Sequence, residues 1–498
     1  MLFNSIQFLI FFPIVVSLYF LIPHKYRWIL LLSASYYFYM SWKPEYIILI
    51  LISTIIDYVC GWQIYKSDNR KRRRLFLIIS LITNLGILAA FKYFNFFSES
   101  AVLFLQQFSL DFSAPTLQVL LPVGISFYTF QTLSYTIDIY RRKIKPEKHL
   151  GIFAVYVSFF PQLVAGPIER AKNLLPQFAE KYNFDYKRVT DGLKLMLWGF
   201  YKKIVIADGV AIIVDNAFNS PGNDTGVTLL IATILFAFQI FCDFSGYSDI
   251  AIGAAQVMGF RLMTNFRRPY HAHSISDFWH RWHISLSTWF KDYLYIPLGG
   301  SKVKIPRWYL NLFIVFLVSG LWHGANWTFV VWGALHGIYM ISSIVTLKWR
   351  EKFNKAIGLI KIPRIHKLLQ IIFTFILVNI GWVFFRANNV SEAWEILKKI
   401  ATWIYSIPSL IWTHVPISQI IEYDTWKDKL GLDTVSLCII IGAILFMEIV
   451  HLIQRETSVR QFMSEKPRYL RWVIYLILIW AILILGVFGE REFIYFQF

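Results

Sequence analysis

Four short stretches set ionisable side chains inside apolar sequence, where a charge is expensive and usually serves a purpose. In Leu321-Trp322-His323-Gly324-Ala325-Asn326-Trp327, a histidine interrupts an apolar run that starts near Tyr309. Neutral imidazole suits proton abstraction near neutral pH, so His323 is a candidate general base. Gly324 allows a break or a close approach beside it. The competing reading is a core histidine satisfied by its neighbours. In the run from Asp277 to Ser287, His280 and His283 would lie one turn apart on a helix, with Asp277 placed to orient His280. Adding His271 and His273 would suggest a metal set, but zinc-like spacing and a helper cysteine are missing, so no metal is expected. The alternative is an aromatic-rich interfacial helix. The run from Cys242 to Asp249 holds Asp243, Ser245, Ser248 and Asp249. Six residues apart, its two carboxylates miss a common helical face unless the chain unwinds at Gly246. Helix capping by Asp243 or Ser245 is the alternative, compatible with the first. His336, in Trp332-Gly333-Ala334-Leu335-His336-Gly337, fits a hydrogen bond to the preceding helix better than catalysis.

The elements that must position these residues follow from composition. The chain has 498 residues, 57% hydrophobic and 16% charged, against about a quarter charged in soluble domains. Its apolar residues fall in blocks long enough to cross a hydrocarbon core about 30 Å thick. Twelve such blocks are expected: 2–23, 28–42, 46–65, 75–97, 119–140, 192–218, 227–260, 309–326, 327–347, 368–386, 435–454 and 472–490. Block 2–23 lacks a basic start and a small-residue cleavage site, so it reads as a retained span. Block 227–260 is long for one span and suggests a tilted or interrupted piece. Residues 150–165, apolar and broken by Pro161, suggest a re-entrant or interfacial segment. Residues 261–308 carry eight Lys and Arg among many Trp and His. They suit packing at the cytoplasmic face or a dip into the bundle.

The net charge of +19 sits in short loops. Loops 66–74, 141–149, 348–367 and 455–471 hold six, five, seven and five Lys and Arg, while 98–118 and 219–226 hold none. This alternation places the rich loops in the cytoplasm and both termini outside. The long loop 387–434 then falls outside as well. Without a basic globular domain, nucleic-acid binding is not expected. Cys60, Cys242 and Cys438 are too few and too scattered for a disulfide framework.

Three motifs, DFSGYSD at 243–249, FWHRWHISLSTWFKDYLYIPLGG at 278–300 and GLWHGANWTFVVWGALHG at 320–337, resemble the membrane-bound O-acyltransferases. The likeness is strongest to the branch that acetylates alginate and peptidoglycan. LPVGISFYTFQTLSYTIDIYR at 121–141, FFPQLVAGPIER at 159–170, NIGWVFFRA at 379–387 and FIYFQF at 493–498 agree. The resemblance implies a single all-α polytopic membrane domain over 1–498, with its motif core at about 121–347. About a dozen spans and re-entrant helices would ring a central tunnel. It implies that His323 matches the family's essential buried histidine and His283 its second functional histidine. It implies acetyl-CoA as a cytosolic donor and no bound cofactor. It also implies a polysaccharide acceptor, an extracytoplasmic partner of esterase-like (SGNH-type) fold, and a bacterial cytoplasmic membrane. His280 departs from the pattern, where relatives more often carry arginine.

The expected chemistry is thioester-to-oxygen acyl transfer, with His323 as base or transient acyl acceptor and His283 activating the donor. Arg281, Arg267, Arg268 and Lys291 are candidates for the donor phosphates. Trp322 and Trp282 would line a dry passage, and Asn326 is a candidate oxyanion donor. Alternatives are a transporter, a scaffold of a polysaccharide-export complex, and, within the enzyme class, lipid or protein acylation or D-alanyl transfer.

Overall fold

A backbone at membrane depth must satisfy its own hydrogen bonds, and long apolar runs do so as helices. The computed structural model describes all residues except 111, 112, 118, 119, 165, 414, 417, 418, 420–433, 457, 458, 489, 490, 492, 497 and 498. Every regular element among the described residues is helical. Eight helices among them have the length and apolarity to cross a bilayer. They are Pro44–Lys66, Arg70–Gln106, Gly226–Met258, Ile305–His323, Trp327–Val345, Pro363–Arg386, Val435–Arg455 and Arg468–Leu485. The other four expected blocks are helical but short or interrupted. Ile6–Leu21, Arg27–Met40 and Ile125–Tyr140 have 16, 14 and 16 residues, about 21–24 Å at the α-helical rise. Block 192–218 is divided by a π-helical turn at Tyr201–Ala207.

The chain packs as two compact units. One comprises Met1–Met196, Tyr247–Thr264 and Tyr495–Phe498. Its helices are α1 (Ile6–Leu21), α2 (Arg27–Met40), α3 (Ile47–Lys66), α4 (Arg70–Leu88), α5 (Phe94–Gln106), α6 (Ile125–Tyr140), α7 (Leu150–Ser158), α8 (Phe160–Leu163) and α9 (Ala171–Ala179), with most of α10 (Tyr186–Phe200). A buried polar cluster ties α3, α4 and α6 together. Asp57 accepts hydrogen bonds from Ser80 Oγ at 2.5 Å and Asn84 Nδ2 at 2.9 Å on α4, and from Thr136 Oγ1 on α6 at 3.3 Å. Ser53 Oγ donates to Asn84 Oδ1 at 2.6 Å. In an apolar surrounding such bonds hold helices together where the hydrophobic effect cannot. Residues 150–163 form α7 and α8, separated at Phe159, with Pro161 in the first turn of α8.

The other unit comprises Leu197–Gly246 and Asn265–Ile494. It holds α11 (Asp208–Phe218), the first part of α12 (Gly226–Met258), α13 (Ile275–Arg281), α14 (Ile284–Phe290), α15 (Ile305–His323), α16 (Trp327–Val345), α17 (Leu347–Ala356), α18 (Pro363–Arg386), α19 (Val390–Trp412), α20 (Thr434–Glu456), α21 (Val459–Ser464) and α22 (Arg468–Leu485). Helix α12 runs unbroken for 33 residues, which leaves the tilted alternative of the two expected for that block. The stretch 387–434, expected as a loop, begins with the 23-residue helix α19, started by Asn389, whose side chain accepts from Glu392 N. Helix α19 buries Ala393, Ile396 and Ile400 on one face, a spacing of three and four residues hidden among polar ones. The remainder of that loop lies mostly outside the described residues.

Helices α15 and α16 position the central motif, and glycines set their contact. A Cβ added to Gly320 would stand 3.1 Å from Gly333 Cα, so a side chain at either position would force the helices apart. Gly333→Leu should lower stability by about 1–3 kcal/mol, read as a lower Tm in detergent. Gly442→Leu is the control, since nothing lies within 4 Å of a Cβ there, and it should melt like the parent.

Candidate functional site

His323 is the last residue of α15, and the backbone leaves helical geometry at Gly324, the C-cap. Asn326 restarts the chain as the N-cap of α16, its side chain accepting from Thr328 N at 3.0 Å. Its amide Nδ2 donates to Asn388 O at 2.9 Å. The structure thus uses Asn326 to build the turn, with Asn388 taking one of the two N–H donors of its amide. His283 lies between α13 and α14 with a left-handed backbone, φ 44°, an uncommon conformation outside glycine that tends to mark functional sites. Asn265 holds it there. Its carbonyl accepts from Ile284 N at 2.9 Å, and its Oδ1 accepts from Ser285 N and Oγ at 3.2 and 3.0 Å.

This arrangement brings two of the expected residues together. The His283 and His323 rings are 6.3 Å apart, centroid to centroid, and both are buried. Trp322 packs on both, at 5.9 Å from His283 and 5.0 Å from His323. Phe244 closes on His283 at 4.6 Å. Trp332 and Phe385 close on His323 at 5.0 and 5.5 Å. Trp282 stacks on Phe278 and meets Trp382 at 5.0 Å. Burial presses the His283 imidazole well below its ordinary pKa, to about 3, so the ring is neutral at physiological pH. A neutral imidazole is the form that can accept a proton.

Other expected residues fall elsewhere. His336 is buried between Trp279 and Trp332, at 5.1 and 4.9 Å. Neither of its ring nitrogens has a hydrogen-bond partner among the described residues, so ring packing replaces the expected inter-helix bond. His280 and His283 do not share a helix, because α13 ends at Arg281. Asp277 does not orient His280. It accepts from Arg281 Nε at 2.7 Å and pairs with His273 at 3.1 Å, while exposed His280 donates from Nδ1 to Ser276 O at 2.6 Å. Burial raises the Asp277 pKa, but the Arg281 hydrogen bond and charge, with His273, outweigh it and hold the carboxyl below its ordinary value. Arg267 and Lys291 are exposed. Arg268, half-buried, donates to His451 O at 3.3 Å. Its pKa is lowered by burial and then by neighbouring Arg281 and Arg455, which marks a cationic cluster suited to anions.

Asp243 and Asp249 are not brought together, because α12 does not unwind at Gly246. Asp243 instead belongs to a buried charged group absent from the sequence-derived candidates. Lys203 Nζ lies 2.8 Å from both Asp208 Oδ1 and Asp243 Oδ1, with side-chain exposures of 1%, 4% and 5%. The second Asp243 oxygen accepts from Ile494 N at 2.7 Å, and Lys202 Nζ donates to Ser245 Oγ at 2.9 Å. The group thus ties the π-helical turn 201–207 and the chain near Ile494 to the stretch of α12 that carries Phe244. Lysines inside apolar block 192–218 were the available signal.

Residues 42–386 match the sequence model of the membrane-bound O-acyltransferase family. The chain is 41% identical over 408 residues to the probable alginate O-acetylase of Pseudomonas aeruginosa, covering 81% of this chain and 76% of the relative. It is 37% identical over 396 residues to the peptidoglycan O-acetyltransferase of Helicobacter pylori, covering 74% and 72%. Identity to the teichoic acid D-alanyltransferase of Bacillus subtilis is 28% over 280 residues, covering 53% and 69%.

The charged group gives a test of what holds the Phe244 wall. Lys203→Met leaves two carboxylates buried without their cation, and should cost about 3–5 kcal/mol, measured as a fall in Tm. The triple variant Lys203→Met, Asp208→Asn, Asp243→Asn removes the stranded charges and should recover most of that loss.

Proposed function

The chain belongs to the membrane-bound O-acyltransferase family and is a multi-pass membrane O-acyltransferase, and on that premise we propose that it moves an acetyl group from cytosolic acetyl-CoA to a hydroxyl of an extracytoplasmic polysaccharide. The observation that carries the reading is the buried pair His283 and His323, brought from two helix boundaries to 6.3 Å inside one aromatic enclosure. His323 takes the proton of the attacking hydroxyl. The oxygen attacks the acetyl carbonyl carbon, the carbon–sulfur bond breaks, and the departing thiolate receives the proton. In the two-step variant, His323 carries the acetyl group between thioester and hydroxyl. His283 positions the thioester, Trp322 and Trp282 keep the passage dry, and the cluster of Arg268 and Arg281 receives donor phosphates, with exposed Arg267 and Lys291 at its approach. The passage is a tunnel open to both sides of a bacterial cytoplasmic membrane. The attacking hydroxyl is that of the polymer, or that of an extracytoplasmic esterase-like partner of SGNH type, which then hands the acetyl group to the polymer.

An exopolysaccharide such as alginate is the favoured acceptor, in line with the 41% identity to an alginate O-acetylase. Peptidoglycan is the second reading, motivated by the 37% identity to a peptidoglycan O-acetyltransferase. In membranes fed radiolabelled acetyl-CoA, label should reach polymer or partner with the parent protein. Transfer should fall by about 10²–10⁴-fold in His323→Ala, with insertion and elution profile unchanged. His283→Ala should also lose transfer. Undiminished transfer by inserted His323→Ala would overturn the mechanism, and label confined to purified sacculi would select peptidoglycan.

Orientation has its own check. Both termini are placed outside and loop 348–367, with seven Lys and Arg, inside. Alkaline phosphatase fused after Phe498 should be active, and fused within 348–367 it should be inactive. The reverse pattern would invert the donor and acceptor sides.

A further inference from the structure

One cluster apart from the His283–His323 enclosure has the chemistry of a metal centre. The structure disperses the histidines first considered for a metal. His273 pairs with Asp277, His280 bonds Ser276, and His283 is interior. Only His271 is left, and it meets two residues of α20. His271 Nε2 lies 2.7 Å from Glu448 Oε2, and His451 Nδ1 lies 3.2 Å from Glu448 Oε1. One ligand atom from each of the three residues lies within 4.8 Å of the others. We propose that His271, Glu448 and His451 form a binding site for a divalent transition-metal ion of the zinc class, clamping the turn Pro269–His271 onto α20.

The donor set is right for that class of ion. Two imidazoles and one carboxylate bind zinc, and three protein ligands leave a fourth position for water or a substrate atom. Bonds of about 2.0–2.2 Å in a tetrahedron put neighbouring donor atoms roughly 3.3–3.5 Å apart. The two histidines reach different Glu448 oxygens, at 2.7 and 3.2 Å, and one ligand atom from each residue lies within 4.8 Å of the others, so small side-chain rotations admit the ion. Glu448 and His451 are three residues apart on one helix, a spacing that presents both on the same side. The His451 side chain is 7% exposed, whereas those of His271 and Glu448 are 30% and 27% exposed. The site therefore has a buried anchor and a solvent-facing entrance.

The Glu448 carboxylate offsets one of the ion's two charges beside nearby Arg268, and the arginine cluster favours an anion at the open position. The site also touches the enclosure's outer wall. Phe241 packs on His451 at 5.6 Å and on Trp282 at 6.3 Å, and Trp282 precedes His283. Fixing His271 to α20 would steady that wall.

The competing state is a metal-free His–Glu–His hydrogen-bonded bridge, and metal content separates the two. The full-length protein is purified in detergent with a non-histidine tag, stripped with a chelator, dialysed against Zn²⁺ or Co²⁺, and washed. About one zinc per chain should remain by mass spectrometry, and Co²⁺ should show the intense visible bands of four-coordination. Glu448→Gln, His271→Ala and His451→Ala should each cut retained metal at least tenfold. His273→Ala, at an exposed residue outside the site, should retain it. Zn²⁺ should raise the Tm of the parent and not of His271→Ala, because an ion bound only by the folded state stabilises it. If Glu448→Gln misfolds, His271→Ala carries the test, its change lying on a short surface turn. No retained metal in the parent, or retention indifferent to His271→Ala, would overturn the proposal. Neither readout depends on acyl transfer.

Discussion

A polar group at membrane depth must find its partner within the protein, because lipid offers none. Much of this structure follows from that constraint. Asp57 would be costly alone; with Ser80, Asn84 and Thr136 around it, it joins three helices of one unit. Lys203 would be costly alone; between Asp208 and Asp243 it fastens a π-helical turn to α12. Since replacing a buried ion pair by apolar groups is often neutral or stabilising, such a group is weak evidence for stability. It is better understood as a device that fixes one register among several apolar packings of similar energy. Here it fixes the stretch of α12 from which Phe244 reaches the His283 ring.

The same constraint explains why the candidate site lies at helix boundaries. Within an intact helix every backbone group is engaged and side chains project at fixed angles. A helix end frees the chain to turn, provided something satisfies the exposed groups. Asn326 does this for the start of α16, and Asn265 for the start of α14. Each asparagine sits beside the histidine it serves: Asn326 follows His323 by three residues, and Asn265 holds the two residues after His283. The left-handed backbone at His283 is strain that these bonds sustain. Neutral imidazoles, in contrast to lysines or carboxylates, can remain in such an enclosure without a counter-ion.

Legibility in the sequence divided along physical lines. The helical, membrane-spanning character was plain, because it depends on composition over twenty residues at a time. His323 stood out as a polar residue in a long apolar run, whereas His283 came from its spacing to His280 and from the family resemblance. Block ends were less legible, and so was the choice between a tilted and an interrupted α12, since Gly246 marks close approach to Gly199 and Lys203 instead of an unwound turn. The pairing of His280 with Asp277 failed because a local spacing was preferred to a neighbour one turn later, Arg281, which is a stronger partner for a carboxylate. Helix α19 was hidden because its buried residues are few and separated by polar ones.

Tertiary partnership was the part the sequence could not supply. The cost of burying a charge predicts that Lys202, Lys203, Glu448 and His451 have partners, since all four lie within apolar blocks. It does not say which partners, because Asp243 is forty residues from Lys203 and His271 is far from Glu448 in sequence. A rule about burial energy identifies the residues that must be paired; only the fold chooses among the available pairings. That choice separates the clusters. Where the fold met a lysine with two carboxylates, the result is a closed, fully buried group with no room for further chemistry. Where it met two histidines with one carboxylate at a half-open entrance, the result is the donor set proposed to hold a metal ion. Where it set two histidines inside an aromatic enclosure, the result is a pair of buried imidazoles at two helix boundaries.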